Sequence, residues 1–179
     1  MINFFLKLSP VKLLALTAYG EARGENIEGM KAVINVILNR VKNLKRFADK
    51  NLLSRSPYHA VILKPYQFSM YNSEDPQYNR IKTISNNFNK FLLTDSLLNN
   101  AYQIAKLAIR NMLQDNTQGA DHYHTTDVHP SWVSSLTRTV QIGRHIFYKT
   151  KGLLKQSTPY ISIIILSILG ISLYLLRRK

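Results

Sequence analysis

The sequence contains no cysteine, few acidic residues and a single tryptophan. Without cysteine the chain has no disulfide framework, no thiolate nucleophile and no thiolate metal site. Only 10 Asp and Glu stand against 24 Lys and Arg, which gives a formal net charge of +14. Such a charge favours polyanionic partners, namely nucleic acid, anionic lipid or an acidic wall polymer. The basic residues are spread along the chain without a basic-aromatic motif, so nucleic-acid binding is not expected.

Because acids are scarce, their positions are informative. Glu21, Glu25 and Glu28 lie close together in and after the segment Tyr19–Glu25, which reads YGEARGE. Ser9 followed by a proline is typical of a helix start, with serine as the N-cap. Apolar residues then recur at helical spacing, and Glu21 stands at the end of that apolar edge. The sequence thus predicts a carboxylate where an apolar helix meets glycines.

Two roles for Glu21 follow from this placement. Partial burial would raise its pKa, as a general acid for glycosidic cleavage requires, and the glycines would allow a polymer to approach closely. Alternatively, Glu21 is a structural acid that favours the dipole of the next helix or pairs with Arg23 or Lys31. Spacing alone leaves both roles open.

The rest of the pattern predicts an α+β fold that is mainly α. Asn26 is expected to cap a second helix, and helical patterns also cover 79–91 and 95–114, with a loop at 45–56. A short strand is expected near Ala120–Thr125, followed by a strand pair that turns at Gly143. Two sets of helical residues are predicted to face the core: Met30, Val33, Ile34, Ile37, Val41 and Leu44, and then Leu97, Leu98, Ala101, Ile104, Ala105, Ala108 and Met112.

The predicted short strand carries two histidines. Alternation places His122 and His124 on one face, where they would form a two-histidine metal arm with His129 downstream. The carboxylate of Asp121, Asp127 or Glu21 would complete such a site. The other interpretation is that one histidine packs or hydrogen-bonds beside a cleft, and we predict no bound metal or other cofactor.

The C-terminal part of the chain is different in composition. Tyr160–Leu176 is free of charge and ends in Arg177–Lys179. As a helix it would be about 26 Å long at ~1.5 Å per residue, which is close to the hydrocarbon thickness of a bilayer. We therefore predict a folded domain over 1–149, a tether over 150–159, a transmembrane helix over 160–176 and a basic tail over 177–179. Lysines flank both ends, so the charge bias leaves the orientation open.

Several motifs occur together in one order. They are YGEARGE at 19–25, AVINVILNRV at 32–41, QFS at 67–69, GADHYH at 119–124, PSW at 130–132 and IGRHIF at 142–147. In order and spacing they resemble the SleB-type cell-wall hydrolase family, which includes spore-cortex-lytic enzymes and phage lysins. The resemblance covers roughly residues 10–149.

This resemblance implies a lysozyme-like, mainly helical domain that cleaves the glycan strands of peptidoglycan. It implies that Glu21 is the catalytic acid and that Gln67, Ser69, Tyr123 and His124 contact the substrate. Members of the family are thought to act as lytic transglycosylases, in which the 6-hydroxyl of muramic acid attacks and water is not needed. The chain departs from the family pattern in two ways, since it shows no evident peptidoglycan-binding domain and carries the C-terminal apolar segment.

The expected protein is thus a membrane-tethered, phage-type lysin with a single acid, anchored through lipid contacts of Tyr160–Leu176. Its domain would face the cell wall, from the host inner membrane if it is phage-encoded. A non-catalytic, membrane-anchored wall-binding protein and a histidine-based metal hydrolase remain as alternatives. The oligomeric state and the product type, hydrolytic or transglycosylase, are left open.

Overall fold

A computed structural model describes residues 3–151. Within that range the chain forms eight α-helices followed by three β-strands, which confirms the expected mainly helical domain with a small sheet. The helices are α1 Asn3–Leu6, α2 Pro10–Ala22, α3 Ile27–Val41, α4 Leu44–Phe47, α5 Pro57–Ile62, α6 Tyr78–Asn86, α7 Phe88–Thr94 and α8 Ser96–Ile109. The strands are β1 His122–Thr125, β2 Leu136–Ile142 and β3 His145–Thr150.

Helix α2 is the central element of the helical core. It begins as predicted, because the Ser9 side chain accepts a hydrogen bond from the Lys12 amide and proline occupies the first turn. Every residue from Leu13 to Tyr19 is buried, so the helix is enclosed on all sides. It packs against α8, α3 and α5. This enclosure fixes the position of its C-terminal turn, which carries Glu21.

Helix α3 joins the helical core to the sheet. Asn26 caps it by accepting a hydrogen bond from the Gly29 amide, as predicted. One side of the helix, including Met30 and Ile34, belongs to the main core. The other side forms a second apolar cluster with the sheet, made of Ala32, Val36, Ala120 and Phe147. The sheet is thereby held against the helical body on the side of α3.

The three strands form an antiparallel sheet in the order β1-β3-β2. Tyr123 on β1 stands opposite Phe147 on β3. The β2–β3 pairing is irregular between Arg138 and Gln141, and the hairpin turns at Gly143 with φ 57°. Such a positive φ favours glycine, which explains why a glycine occupies the predicted turn.

Some local predictions are wrong in detail. The segment 45–56, expected to be a loop, contains part of α4 and a short 3₁₀ turn at Lys50–Leu52. The helical pattern over 79–91 is divided at Asn87 into α6 and α7. Leu97 and Met112, assigned to the core face, are 38% and 66% exposed. Met112 lies beyond the end of α8 at Ile109, so helical spacing no longer places it on the core face.

No helix among residues 3–151 has the length and apolarity needed to cross a membrane. The predicted transmembrane helix Tyr160–Leu176 and the basic tail lie outside the described residues, as does most of the predicted tether.

Candidate active site

The centre of the candidate site is a contact between the C-terminal turn of α2 and strand β1. The Tyr123 hydroxyl donates a hydrogen bond to Oε2 of Glu21 at 2.7 Å. Tyr123 lies on the face of β1 that packs on the helical body, where its ring is 5.1 Å from the ring of His145 and 5.6 Å from that of Phe147. Glu21 and Tyr123, which are distant in sequence, are therefore brought into contact by the packing of the helical core and of the sheet cluster.

The surroundings of Glu21 favour its protonated form. Burial among protein atoms raises the pKa of Glu21, and this effect outweighs the hydrogen bond from Tyr123 and the charge of Arg40, both of which lower it. The charge of Asp75 raises the pKa further. The side chain nevertheless keeps partial contact with solvent. A carboxyl with a raised pKa at an accessible position suits a group that donates a proton to a substrate.

Two tyrosines whose pKa values are raised by burial and by the charge of Glu21 remain protonated. Burial and the adjacent Glu21 raise the pKa of Tyr123 well above its usual value, so it stays a hydrogen-bond donor. Burial also raises the pKa of Tyr71. The Tyr71 hydroxyl shares a 2.8 Å hydrogen bond with that of Thr17, one helical turn before Glu21 on α2.

Arg40 of α3 supplies positive charge from beneath the site. It is 7% exposed, and its Nε donates a 2.7 Å hydrogen bond to the backbone oxygen of Asp121, next to β1. Its guanidinium lies 5.6 Å from the ring centroid of Phe47 and 5.4 Å from that of Phe68. Within residues 3–151 its Nη1 has no hydrogen-bond partner. Arg40 thus connects three parts of the chain and lowers the pKa of Glu21 by its charge.

The segment Gln67–Ser69 is followed by Met70, whose side chain packs against Gly20 of α2. A Cβ on Gly20 would stand 2.4 Å from Sδ of Met70, which is too close for any real contact. Phe68 and Met70 are buried, whereas Gln67 is partly exposed and Ser69 is exposed. The buried residues attach the segment to the core, and the predicted substrate contacts Gln67 and Ser69 are left facing outward.

His124 lies on the opposite side of β1 from Tyr123. Its Nε2 pairs with the Tyr148 hydroxyl at 3.1 Å, and its ring stands 5.6 Å from that of Trp132. His122 shares that face, 5.4 Å from the Trp132 ring, and its Nδ1 pairs with Asp121 at 2.7 Å. The structure therefore brings Tyr123 to Glu21 and directs His124 away from it.

The two histidines share a face, as alternation predicts, with the tryptophan ring against both. In the described part of the chain, no three His, Asp or Glu side chains gather so as to hold a metal ion. His122 and His124 instead have the aromatic and hydrogen-bonding partners that the packing interpretation expects.

The other two acids of the first cluster have structural partners. Glu25 accepts hydrogen bonds from the backbone amide of Arg144 at 3.2 Å and from its Nε at 3.4 Å. Glu28 binds Lys31 and accepts a 3.0 Å hydrogen bond from Asn116. The predicted ion pair between Glu21 and Lys31, one of the structural alternatives, is therefore wrong, because the Lys31 ammonium binds Glu28.

Sequence reasoning did not identify Thr17, Arg40, Tyr71 or Asp75. Thr17 was detectable, since a polar residue one turn before Glu21 shares its helix face. Arg40 stands in the last turn of α3, where basic residues are common, and only its burial distinguishes it from other cations at helix ends. Tyr71 and Asp75 belong to a segment without periodicity, so no pattern could place them beside α2.

Comparisons with known proteins identify the family of the chain. A family model described as Cell Wall Hydrolase matches residues 24–148, beginning just after Glu21 and including Tyr123. A spore cortex-lytic enzyme of Halalkalibacterium halodurans is 31% identical over 76% of the chain. The chain spans about a third of that relative's length, 34%.

Two solved structures have a similar fold. The catalytic domain of the Bacillus cereus SleB protein matches with a TM-score of 0.52 and 26% identity, over 78% of this chain and 89% of that domain. The catalytic domain of SleB from Bacillus anthracis, a germination-specific lytic transglycosylase, matches with a TM-score of 0.51 and 26% identity, over 80% of this chain and 98% of that domain. With its family match over most of its length and these relatives, the chain belongs to the SleB-type cell wall hydrolase family.

Proposed function

We propose that the protein cleaves the glycan strands of peptidoglycan and that Glu21 is its acid catalyst. The observation that carries the proposal is the Glu21 carboxyl, whose pKa burial raises and whose Oε2 accepts the 2.7 Å hydrogen bond from Tyr123. Membership of the cell wall hydrolase family and likeness to a lytic transglycosylase domain support the substrate class.

The preferred reaction is that of a lytic transglycosylase. Protonated Glu21 donates its proton to the glycosidic oxygen as the bond from the muramic acid C1 breaks. The resulting carboxylate then accepts the proton of the 6-hydroxyl on the same sugar, and that oxygen bonds to C1. The products are a 1,6-anhydro end and a new hydroxyl on the leaving sugar, and Glu21 regains its proton. Glu25 and Glu28 are held by other partners, which favours this single-acid route.

Tyr123 and Arg40 have positioning roles in this scheme. The Tyr123 hydrogen bond fixes one carboxyl oxygen, so the other is left to face the substrate. The charge of Arg40 stabilises the carboxylate that forms after proton donation. Gln67 and Ser69 are proposed to contact the glycan from the outward-facing segment. His124 is proposed to contact the glycan from the other face of β1, where Tyr148 and Trp132 hold its ring.

One observation favours a second candidate, a hydrolytic muramidase reaction. The charge of Asp75 acts on Glu21 and raises its pKa, so a second carboxylate is present in the neighbourhood. A water molecule activated by Asp75 would then replace the internal hydroxyl, as in glycosidases with two carboxylates. If the protein is such a muramidase, Asp75→Asn should abolish its activity. If it is a lytic transglycosylase, Asp75→Asn should leave the activity in place.

The test is digestion of purified peptidoglycan, with mass spectrometry of the released fragments. We expect 1,6-anhydro ends from the unmodified protein and no fragments from Glu21→Gln. Glu28→Gln is the matched control, because that exposed acid lies outside the site. Undiminished cleavage by Glu21→Gln would exclude Glu21 as the acid. Wall binding without fragments from the unmodified protein would support the non-catalytic alternative, and activity lost in chelator would support the metal hydrolase.

The apolar segment Tyr160–Leu176 supports a further proposal, that the domain is tethered to a membrane and faces the wall as a phage-type lysin would. Its length and lack of charge suit a membrane span, with the basic tail on the inner side. The test is extraction of the full chain from membranes with carbonate. Protease protection of an N-terminal tag in intact vesicles then determines the orientation, and release of the chain by carbonate would contradict the tether.

A further inference from the structure

Tyr66 occupies an unusual position for an aromatic residue. Its side chain is 91% exposed, so it gains almost nothing from burial. Its φ is 64°, in the left-handed region that L-residues with a Cβ seldom adopt. Neither packing nor backbone preference explains a tyrosine here.

The turn that holds Tyr66 explains its geometry. The Lys64 carbonyl accepts a 3.2 Å hydrogen bond from the Gln67 amide, which closes a turn with Pro65 and Tyr66 at its centre. Proline followed by a residue with positive φ is the pattern of a type II turn, in which glycine is favoured at the second central position. The turn therefore projects the Tyr66 ring into solvent immediately before the QFS segment. Backbone outliers of this kind cluster at ligand-binding sites.

A cleft of about 250 Å³ opens beside this ring. Its walls combine aromatic and polar groups, namely Lys64, Tyr66, Phe68, Tyr71, Asn72 and Glu74. Its volume lies just below the range of roughly 300–1,000 Å³ for sites that enclose drug-sized ligands. It therefore suits one ring-sized polar group whose neighbours in a polymer extend over the open surface.

Tyr71 connects the cleft to helix α2, which carries Glu21. Tyr71 lines the cleft, and its hydroxyl is hydrogen-bonded at 2.8 Å to Thr17, one turn before Glu21 on the same helix. The cleft and the Glu21 carboxyl are therefore linked through two buried side chains of the same core.

We propose that this cleft is a subsite for one pyranose ring of the glycan strand and that Tyr66 is the surface on which the ring stacks. The axial C–H face of the sugar lies on the aromatic ring, and the side chains of Asn72 and Glu74 accept or donate hydrogen bonds to its hydroxyl and acetamido groups. The inference rests on the proposed function, since it names a part of the same substrate site.

The test measures binding apart from cleavage. The full chain carrying Glu21→Gln is titrated calorimetrically with a tetrasaccharide of alternating N-acetylglucosamine and N-acetylmuramic acid. We expect Tyr66→Gly in that background to weaken binding about tenfold, or about 1.4 kcal/mol, and Tyr66→Phe to bind unchanged. Tyr66→Gly should melt no lower than its parent, because glycine relieves the turn. Tyr66→Asn, which tolerates the same φ, gives a second ring-free variant.

Asn111→Gly is the matched control. Asn111 also has a positive φ, 56°, and is exposed, but it follows α8 and lines a different depression. The Asn111→Gly variant removes the same kind of backbone strain without removing an aromatic ring. Its affinity for the tetrasaccharide should be unchanged. Unaltered binding by both Tyr66→Gly and Tyr66→Asn would overturn the subsite while leaving the proposed function in place. Absence of binding by the parent would overturn both.

Discussion

The Tyr123 hydroxyl and the Glu21 carboxyl share a 2.7 Å hydrogen bond across 102 positions of sequence. Tyr123 packs against both apolar clusters, so its ring is fixed by the helical core and by the sheet together. The sheet, which contributes a minority of the described residues, thereby supplies the partner of the proposed catalytic acid. Its attachment to α3 is a requirement of the site as well as of the fold.

Tyr123→Phe should move the pH dependence of cleavage. Glu21 must be protonated to act as an acid, so activity falls as pH rises through its pKa. The Tyr123 hydrogen bond lowers the pKa of Glu21, and its removal should shift the alkaline limb to higher pH. We also expect a roughly tenfold lower maximal rate from looser positioning of the carboxyl. Tyr102→Phe is the control, since Tyr102 packs on Phe88 away from the site. If the alkaline limb does not shift, the group whose titration limits the rate is not Glu21.

Glu21→Gln should change the pH dependence of stability. The folded-state pKa of Glu21 is raised, so the folded chain binds the proton more tightly than the unfolded chain. Stability is consequently lost as pH rises from the unfolded pKa, near 4.5, through the folded pKa. Glutamine removes this loss, and the variant should have a higher Tm than the unmodified protein at pH 8. The difference should shrink towards pH 4, where the carboxyl is protonated in both states. A variant that melts lower at pH 8 would contradict the burial assigned to Glu21.

Arg40→Met should affect both stability and the reaction. It removes the hydrogen bond to the Asp121 carbonyl and the contacts with Phe47 and Phe68, at a cost of about 1.5–3 kcal/mol as for other hydrogen bonds to charged groups. It also removes a charge that lowers the pKa of Glu21, so the alkaline limb should rise as in Tyr123→Phe. Thermal unfolding and a pH–rate profile measure the two effects. Arg46→Met is the control, because Arg46 is exposed on α4. A destabilised variant with an unmoved pH profile would limit Arg40 to a structural role.

Gly143→Ala tests the contact between the hairpin and the α2–α3 junction. Gly143 has a positive φ, and a Cβ there would meet Oε2 of Glu25. Gly119→Ala is the control, because Gly119 has φ 84° and nothing within 4 Å of its Cβ position. The control should lose about 1–2 kcal/mol from backbone strain alone.

Gly143→Ala should lose roughly 1–3 kcal/mol more than this control, from displacement of Glu25. Adding Glu25→Ala should return part of that excess, because the carboxylate is then absent. If chemical denaturation gives the same loss of unfolding free energy for the two glycine variants, the Glu25 side chain moves aside at no measurable cost.

Local signals were strong where one residue type has one physical use. Ser9 and Asn26 as N-caps predicted the starts of α2 and α3, since a side-chain acceptor is needed where helix amides are unpaired. Gly143 predicted the hairpin turn for a similar reason. The division of 79–91 at Asn87 was not predictable, because apolar spacing continues through it and only the packing of α6 and α7 separates them.

The sequence by itself determined the mainly helical fold, the ordered motifs of the family and the presence of an acid at the end of an apolar helix. These follow from periodicity, capping and residue order, which are local properties of the chain. The tertiary structure decided the partners of the other two acids of the first cluster, because only the folded chain brings Glu25 to Arg144 and Glu28 to Asn116. It also decided the state of Glu21, since burial, the Tyr123 hydroxyl and the charges of Arg40 and Asp75 all come from segments distant in sequence. Desolvation and Coulomb interactions depend on distance in space, which sequence spacing does not specify.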